Sequence, residues 1–343
     1  GPQCRPAGRQ AGSGTRRIQF HAGIQFHTRT EFHSRTEGQR MSTAENLSSP
    51  TNPSAETTEA GTAAVPAVVG VLGGGRMGAG IAHAFTVAGA DVVVVERDQA
   101  AADAARERVA AALAKSVDRG TTTHSLDELT GRLSVSTDYA SFAGCDLVVE
   151  AVPEDFELKS SALKAVEEQL ADGAWLATNT SSLSVAKLAA GLARPERFCG
   201  LHFFNPVPSS LLVEVVLTDS TSAELGEAAR EWTAALGKTA VVVRDAPGFA
   251  SSRLGVAIAL EAMRMVEEGV ASAEDIDAAM VLGYKHPVGP LRTTDMVGLD
   301  VRLGIAEYLH ETLGERFAPP QILREKVARG ELGRKSGQGF FSY

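Results

Sequence analysis

The sequence predicts an α/β domain followed by an all-α domain, and three observations carry that expectation. A β-branched apolar run at residues 67–72 leads into Gly73-Gly74-Gly75-Arg76-Met77-Gly78 and then into a helix-patterned stretch. Further apolar runs of strand length follow at residues 92–95, 145–152 and 174–177. From Pro247 the spacing becomes helical, with Leu254, Ile258, Met263 and Val266 as its first apolar marks.

Residues 1–65 are expected to stand outside both domains. Phe20-His21, Phe26-His27 and Phe32-His33 recur every six residues in a stretch that holds seven arginines and two acids up to Arg40. An arginine-rich targeting peptide, a histidine metal tract and a basic interaction arm each fit part of this pattern. The favoured reading is a cloning-derived or translated upstream extension ahead of a start at Met41, because there is no hydrophobic signal core and the hexad has too few apolar residues to pack. Residues 41–64 are rich in Ser, Thr, Glu and Pro, lack aromatics, and read as a disordered leader.

The first domain is expected over residues 66–245. Gly73, Gly75 and Gly78 form a GxGxxG between a strand and a helix that is stopped by Gly89, and a second strand at 92–95 ends on Glu96, 18 residues after Gly78. In that context the motif is a Rossmann-type dinucleotide-binding fingerprint. Gly73 allows the tight turn, Gly75 lets the backbone approach the pyrophosphate, and Gly78 lets the helix pack on the strand. Arg76 and Met77 open the helix whose N-terminus faces the phosphates. Glu96 would accept hydrogen bonds from the adenosine ribose and repel a 2′-phosphate, which favours NAD over NADP; Arg97 reads as a solvated loop arginine. The run at 145–152 is a buried-strand pattern, followed by Pro153-Glu154 and a helix through Leu170. There Glu154 reads as a first-turn acid and Lys159 as a surface helix lysine.

His202 lies in the apolar segment 202–208, HFFNPVP, whose Asn-Pro and Val-Pro pairs mark a turn, and Glu214 follows twelve residues later on the next expected strand. A neutral imidazole can accept a proton, and a neighbouring carboxylate fixes its tautomer and favours the imidazolium that results. A core histidine held by a backbone carbonyl is the bland alternative.

The second domain is expected over residues 246–343: a long helix from Pro247 to near Gly269, a second opened by Ser272-Ala273-Glu274-Asp275 and ended at Gly283, and two more at 301–312 and 321–329. Composition bounds the rest. The chain is 44% hydrophobic and 22% charged, with net charge −9 and pI near 5.5, an ordinary globular composition that argues against nucleic acid as a partner. No apolar run approaches the roughly 18 residues of a membrane helix. Cys4, Cys145 and Cys199 are too few and too scattered for a disulfide framework or a metal site, so no metal is expected. Cys145 and Cys199 look like buried strand residues, which suits a reducing, cytoplasmic setting.

Asn179-Thr180-Ser181-Ser182-Leu183, the HFFNPVP segment, Leu212-Val213-Glu214-Val215 and the closing GRKSGQGFFSY at 333–343 occur in an order and at spacings that resemble the 3-hydroxyacyl-CoA dehydrogenase family. The match runs from about residue 68 to residue 343. It implies an NAD-dependent oxidation of a short-chain (S)-3-hydroxyacyl-CoA, 3-hydroxybutyryl-CoA in particular, by a homodimer whose all-α C-terminal domain is the dimerisation domain. On this resemblance His202 takes the proton of the 3-hydroxyl, Glu214 orients the imidazole, and Ser181 hydrogen-bonds the reacting oxygen. Glu154, Lys159, Asn179, Ser181, Asn205 and Lys335 become cofactor contacts.

One position departs from the family. Its second domain opens PGFxxNR with an asparagine at the active site, and here Ser252 occupies that register, a shorter side chain with one donor instead of two. Asp295 and Gly298-Leu299-Asp300 do match the family's D-x-x-G-L-D. Ser252 together with the less usual Arg292 motivates a second reading, a dehydrogenase of a free 3-hydroxy acid of the carnitine or gulonate type. A third is a nucleotide-binding structural protein without catalysis, against which the intact Ser181, His202 and Glu214 speak.

Overall fold

The computed structural model describes residues 64–343; the Phe-His hexad and nearly all of the leader lie outside them. In chain order the first part contains β1 (Val68–Leu72), α1 (Arg76–Val87), β2 (Asp91–Val95), α2 (Gln99–Asp118), α3 (Leu126–Gly131), β3 (Leu133–Ser136), β4 (Leu147–Glu150), α4 (Phe156–Glu167), β5 (Trp175–Thr178), α5 (Val185–Ala189), β6 (Phe198–Phe203), β7 (Leu212–Leu217), α6 (Ala223–Ala235) and β8 (Thr239–Arg244). They build one eight-stranded sheet in the order β3-β2-β1-β4-β5-β6-β7-β8. The pairs from β3 through β6 are parallel, β6 and β7 are antiparallel, and β7 and β8 are parallel again. Crossing from β1 to β4 reverses the direction of winding, which leaves a crevice beyond the carboxyl ends of those two strands.

Strand residues alternate between two apolar layers. Val69, Val71, Val92, Val94, Leu147 and Val149 pack with α1 and α2, whereas Leu72, Val93, Val95 and Val148 pack with α4. Burial on both faces explains why β1, β2 and β4 read as continuous apolar runs. Two local readings change. Cys145 is buried in a turn before β4, its N–H donating to the Phe142 carbonyl, so of these two cysteines Cys199 alone is a strand residue. Glu154 precedes the cap of α4, which is Asp155, and is not a first-turn acid.

The second part is helical: α7 (Ser251–Glu267), α8 (Ala273–Ala278), α9 (Pro290–Val297), α10 (Leu299–Leu313) and α11 (Gln321–Ala328) around a third apolar core. Ser272 caps α8 as its sequence suggests, and the chain continues as a π turn at Ala279–Gly283. The long helix is present; of its four apolar marks Met263 is buried with Val256, Ala259 and Leu260, and Val266 packs against that core, while Leu254 is 64% and Ile258 39% exposed. Both sides of α7 are apolar, so the pattern alone does not choose the inner one. The Asp277 carboxylate accepts the Leu291 and Arg292 N–H groups and thereby caps α9. Buried Asp295 accepts from Phe340 N–H, Phe341 N–H and the Tyr343 hydroxyl, which ties the family's D-x-x-G-L-D to the terminal GFFSY. No helix among the described residues is long and apolar enough to cross a membrane.

Candidate active site

A cleft of about 740 Å³ opens at the carboxyl ends of β1 and β4. Gly73, Gly75, Arg76, Met77 and Glu96 line it. Gly73 has φ +91°, a conformation that favours glycine. Gly78 sits behind the lining, where a methyl would run into the Gly73 carbonyl oxygen, so the helix can approach the turn this closely only with glycine there. Over Gly75 there is open space, and α1 starts at that residue without a side-chain cap, so its first N–H groups remain for a ligand. Glu96 accepts from Gly74 N–H at 2.7 Å and from Arg97 N–H at 3.2 Å, which fixes its carboxylate at the end of β2 beside the glycine turn. Arg97 pairs with Asp98 on the surface. This cradle fits a dinucleotide.

The cleft also contains Glu154, Lys159, Asn179, Ser181 and Asn205. Lys159 is no surface lysine: it is 1% exposed and donates to Glu150 at 2.6 Å and to the Val152 carbonyl at 3.0 Å, with Glu154 at 3.5 Å. Glu150, fully buried at the end of β4, also accepts from the Thr178 hydroxyl and Val152 N–H. One Glu154 oxygen gathers the Thr180 hydroxyl at 2.6 Å, Ser181 N–H at 2.9 Å and Ser182 N–H at 3.0 Å. Burial would raise the Glu154 carboxyl, but the Lys159 charge and these donors outweigh it and hold it below the usual carboxylate range. The Ser181 hydroxyl reaches Glu154 at 3.3 Å, a long bond easily exchanged for one to a ligand. Asn179 accepts Phe203 N–H at 2.8 Å and so joins the loop after β5 to β6.

His202 and Glu214 stand directly opposite one another in the antiparallel β6–β7 pair, with His202 Nδ1 2.8 Å from Glu214 Oε2. The His202 ring lies between Phe204, with ring centres 4.4 Å apart, and Phe249 at 5.7 Å. Burial would raise the Glu214 carboxyl; hydrogen bonds from His202 and from Ser251 prevail and keep it below its ordinary range. An ionised carboxylate only accepts, so Nδ1 carries the hydrogen of this bond, and in the neutral ring Nε2 keeps its lone pair. That nitrogen has no protein partner among the described residues, and His202 lines the cleft with the glycine turn.

Three residues singled out in the sequence are not brought to the cleft. Ser252, in the first turn of α7, is half-buried without a side-chain partner. Lys335 pairs with Asp300 at 2.6 Å within the helical part. Arg292 stacks on the Phe341 ring at 3.9 Å, so the cleft gains no arginine from it and the free-acid reading loses that support. In the other direction, the sequence reading missed Glu150, Thr180 and Ser251. Glu150 carried a signal, an acid ending an otherwise apolar run, but the Ser251 contact depends on where α7 lands.

Compared with known proteins, residues 68–246 match the 3-hydroxyacyl-CoA dehydrogenase NAD binding domain, and residues 248–343 match that family's C-terminal domain. The 3-hydroxybutyryl-CoA dehydrogenase of Mycobacterium tuberculosis is 42% identical over 279 residues, covering 80% of this chain and 98% of that protein. A protein of the same description from Bradyrhizobium diazoefficiens is 39% identical over 283 residues, covering 82% and 97%. The crystal structure of (S)-3-hydroxybutyryl-CoA dehydrogenase from Ralstonia eutropha aligns with TM-score 0.78 at 38% identity, covering 81% of this chain and 99% of that one.

Proposed function

Since the chain belongs to the 3-hydroxyacyl-CoA dehydrogenase family, we propose that it interconverts (S)-3-hydroxyacyl-CoA and 3-oxoacyl-CoA with NAD, with 3-hydroxybutyryl-CoA as its short-chain substrate. The observation that carries this reading is the His202–Glu214 pair at 2.8 Å, opening on the same cleft as the glycine turn. Bound NAD supplies the hydride acceptor. His202 Nε2 takes the proton of the 3-hydroxyl in oxidation and returns it in reduction, and Glu214 holds the tautomer and stabilises the imidazolium. Ser181 turns from Glu154 to the reacting oxygen, serving alcohol and ketone alike because a hydroxyl both donates and accepts.

The test is NADH oxidation with acetoacetyl-CoA, beside free acetoacetate, for wild type and His202→Ala. Turnover should fall on the order of 100-fold to 10,000-fold with NAD affinity retained. A variant that binds NAD poorly or unfolds would make the histidine structural. Wild-type activity confined to the free acid would reject the CoA ester.

The same reading includes a homodimer joined through the helical domain, with the division between domains at residues 245/246. Leu254 and Ile258 lie one turn apart on α7 and are exposed, as are Met296, Val297 and Val301, an apolar set that a second copy would cover. Leu254→Glu with Ile258→Glu should halve the mass in solution; an unchanged mass rejects this interface.

A further inference from the structure

Glu214 does more than face His202. Its Oε1 accepts Ala250 N–H at 3.0 Å and Ser251 N–H at 2.8 Å, and its Oε2 accepts the Ser251 hydroxyl at 2.8 Å alongside His202 Nδ1. Ala250, the cap residue of α7, has no capping side chain, so a carboxylate from the sheet does that work. The preceding turn delivers these donors, with Gly248 at φ +75° and Phe249 at φ +49°.

We infer that Ser251 is a positioning residue for the proton transfer: its hydroxyl fixes the rotation of the Glu214 carboxylate and shares Oε2 with the imidazole, limiting how strongly Glu214 stabilises the protonated ring. The inference rests on the dehydrogenase reading for its consequence in turnover, but its geometry does not. Two donors on one oxygen divide its charge, so removing the hydroxyl leaves Oε2 wholly to Nδ1. The imidazolium then becomes easier to form and slower to give its proton up. The cleft that His202 lines also contains Glu154 and Lys159, which pair with each other, and Asp245, ahead of α7, accepts from Ser184 and Ala186. None of them bonds to Ser251.

The experiment compares wild type, Ser251→Ala, Ser251→Cys and Ser251→Thr. Both backbone donors to Oε1 survive in every variant, so the helix cap is kept. The His202 ring is titrated by NMR without substrate, and kcat/KM for acetoacetyl-CoA is measured against pH. Ser251→Ala should raise the ring's titration midpoint by about half to one pH unit. The kinetic limb should follow it, with KM for NADH unchanged; Ser251→Cys should give a smaller shift and Ser251→Thr should restore the wild-type profile. A midpoint that stays put in both the Ala and the Cys variants overturns the inference. Because the titration needs no turnover, it decides on Ser251 even if acetoacetyl-CoA proves not to be a substrate.

Discussion

Replacing Lys159 with methionine separates two roles that its position allows. The ammonium is 1% exposed and Glu150 is fully buried, so removing the cation strands a carboxylate that keeps only the Thr178 hydroxyl and Val152 N–H. Breaking a buried pair from one side costs about 3–5 kcal/mol, since the remaining charge loses its partner but stays out of water. At roughly 2–4 °C per kcal/mol for a domain of this size, melting should fall by about 6–20 °C. Replacing both members, Glu150→Leu with Lys159→Met, removes the stranded charge along with its partner and should recover much of that loss. Differential scanning fluorimetry gives the melting shift and quenching of intrinsic fluorescence gives NAD affinity. If Lys159→Met melts within about 2 °C of wild type while NAD binding collapses, the buried pair is energetically idle, the argument from burial fails, and Lys159 is a direct cofactor contact.

Three further outcomes are expected. If Glu96, fixed by Gly74 N–H, meets the adenosine ribose as proposed, kcat/KM should favour NADH over NADPH by about tenfold or more, the equivalent of about 1.4 kcal/mol, and equal use of both would promote Arg97 to a phosphate ligand. Ser252→Asn should change stability by no more than about 0.5 kcal/mol and leave kcat/KM on acetoacetyl-CoA equal or higher, because the residue has no partner to lose; a large fall would mean the site has been reshaped around serine. Stability should decline on acidification in two stages. The buried His83 imidazole, which bonds Ser116 at 2.7 Å, is held below its ordinary value by burial and by the Lys238 charge, so it stabilises the fold above pH 6.5 and loses that contribution as pH falls below it. Glu154 and Glu214, both held low, contribute fully above the ordinary carboxylate range and lose their share as pH drops through their folded values. Urea unfolding from pH 8 to pH 4 should show the first stage vanish in His83→Gln; an unchanged curve in that variant refutes the assignment.

Features written in neighbouring residues were legible. The glycine turn with its flanking strands, Glu96 at the end of β2 and the spacing of His202 and Glu214 all depend on local pattern, and a strand reversal between two apolar runs suffices to bring the last two together. What stayed hidden depends on distant placement. Lys159 looks like any helix lysine until Glu150, on β4, is seen beneath it. Ser251 acquires its role because α7 begins over β7, 37 residues along the chain from Glu214. The short helix α9 takes its cap from Asp277 on another helix, so no signal at its own start announces it beyond Pro290. Leu254 and Ile258 mark the helix yet lie exposed, because apolar spacing reveals a helix without saying which of its apolar faces turns inward.

The cross-strand placement of His202 and Glu214 also determines what kinds of error can reach the chemistry. A one-residue slip between β6 and β7 would turn Glu214 to the opposite side of the sheet, away from the imidazole. The same slip would pull Val213 and Val215 off Leu201 and Phe203 in the apolar layer, where each buried side chain is worth about 1.5–3 kcal/mol. Four greasy neighbours thus proofread the alignment of two polar ones. Substitutions at Val213 or Val215 would disturb the His202–Glu214 pair by loosening that alignment without altering either of the two side chains.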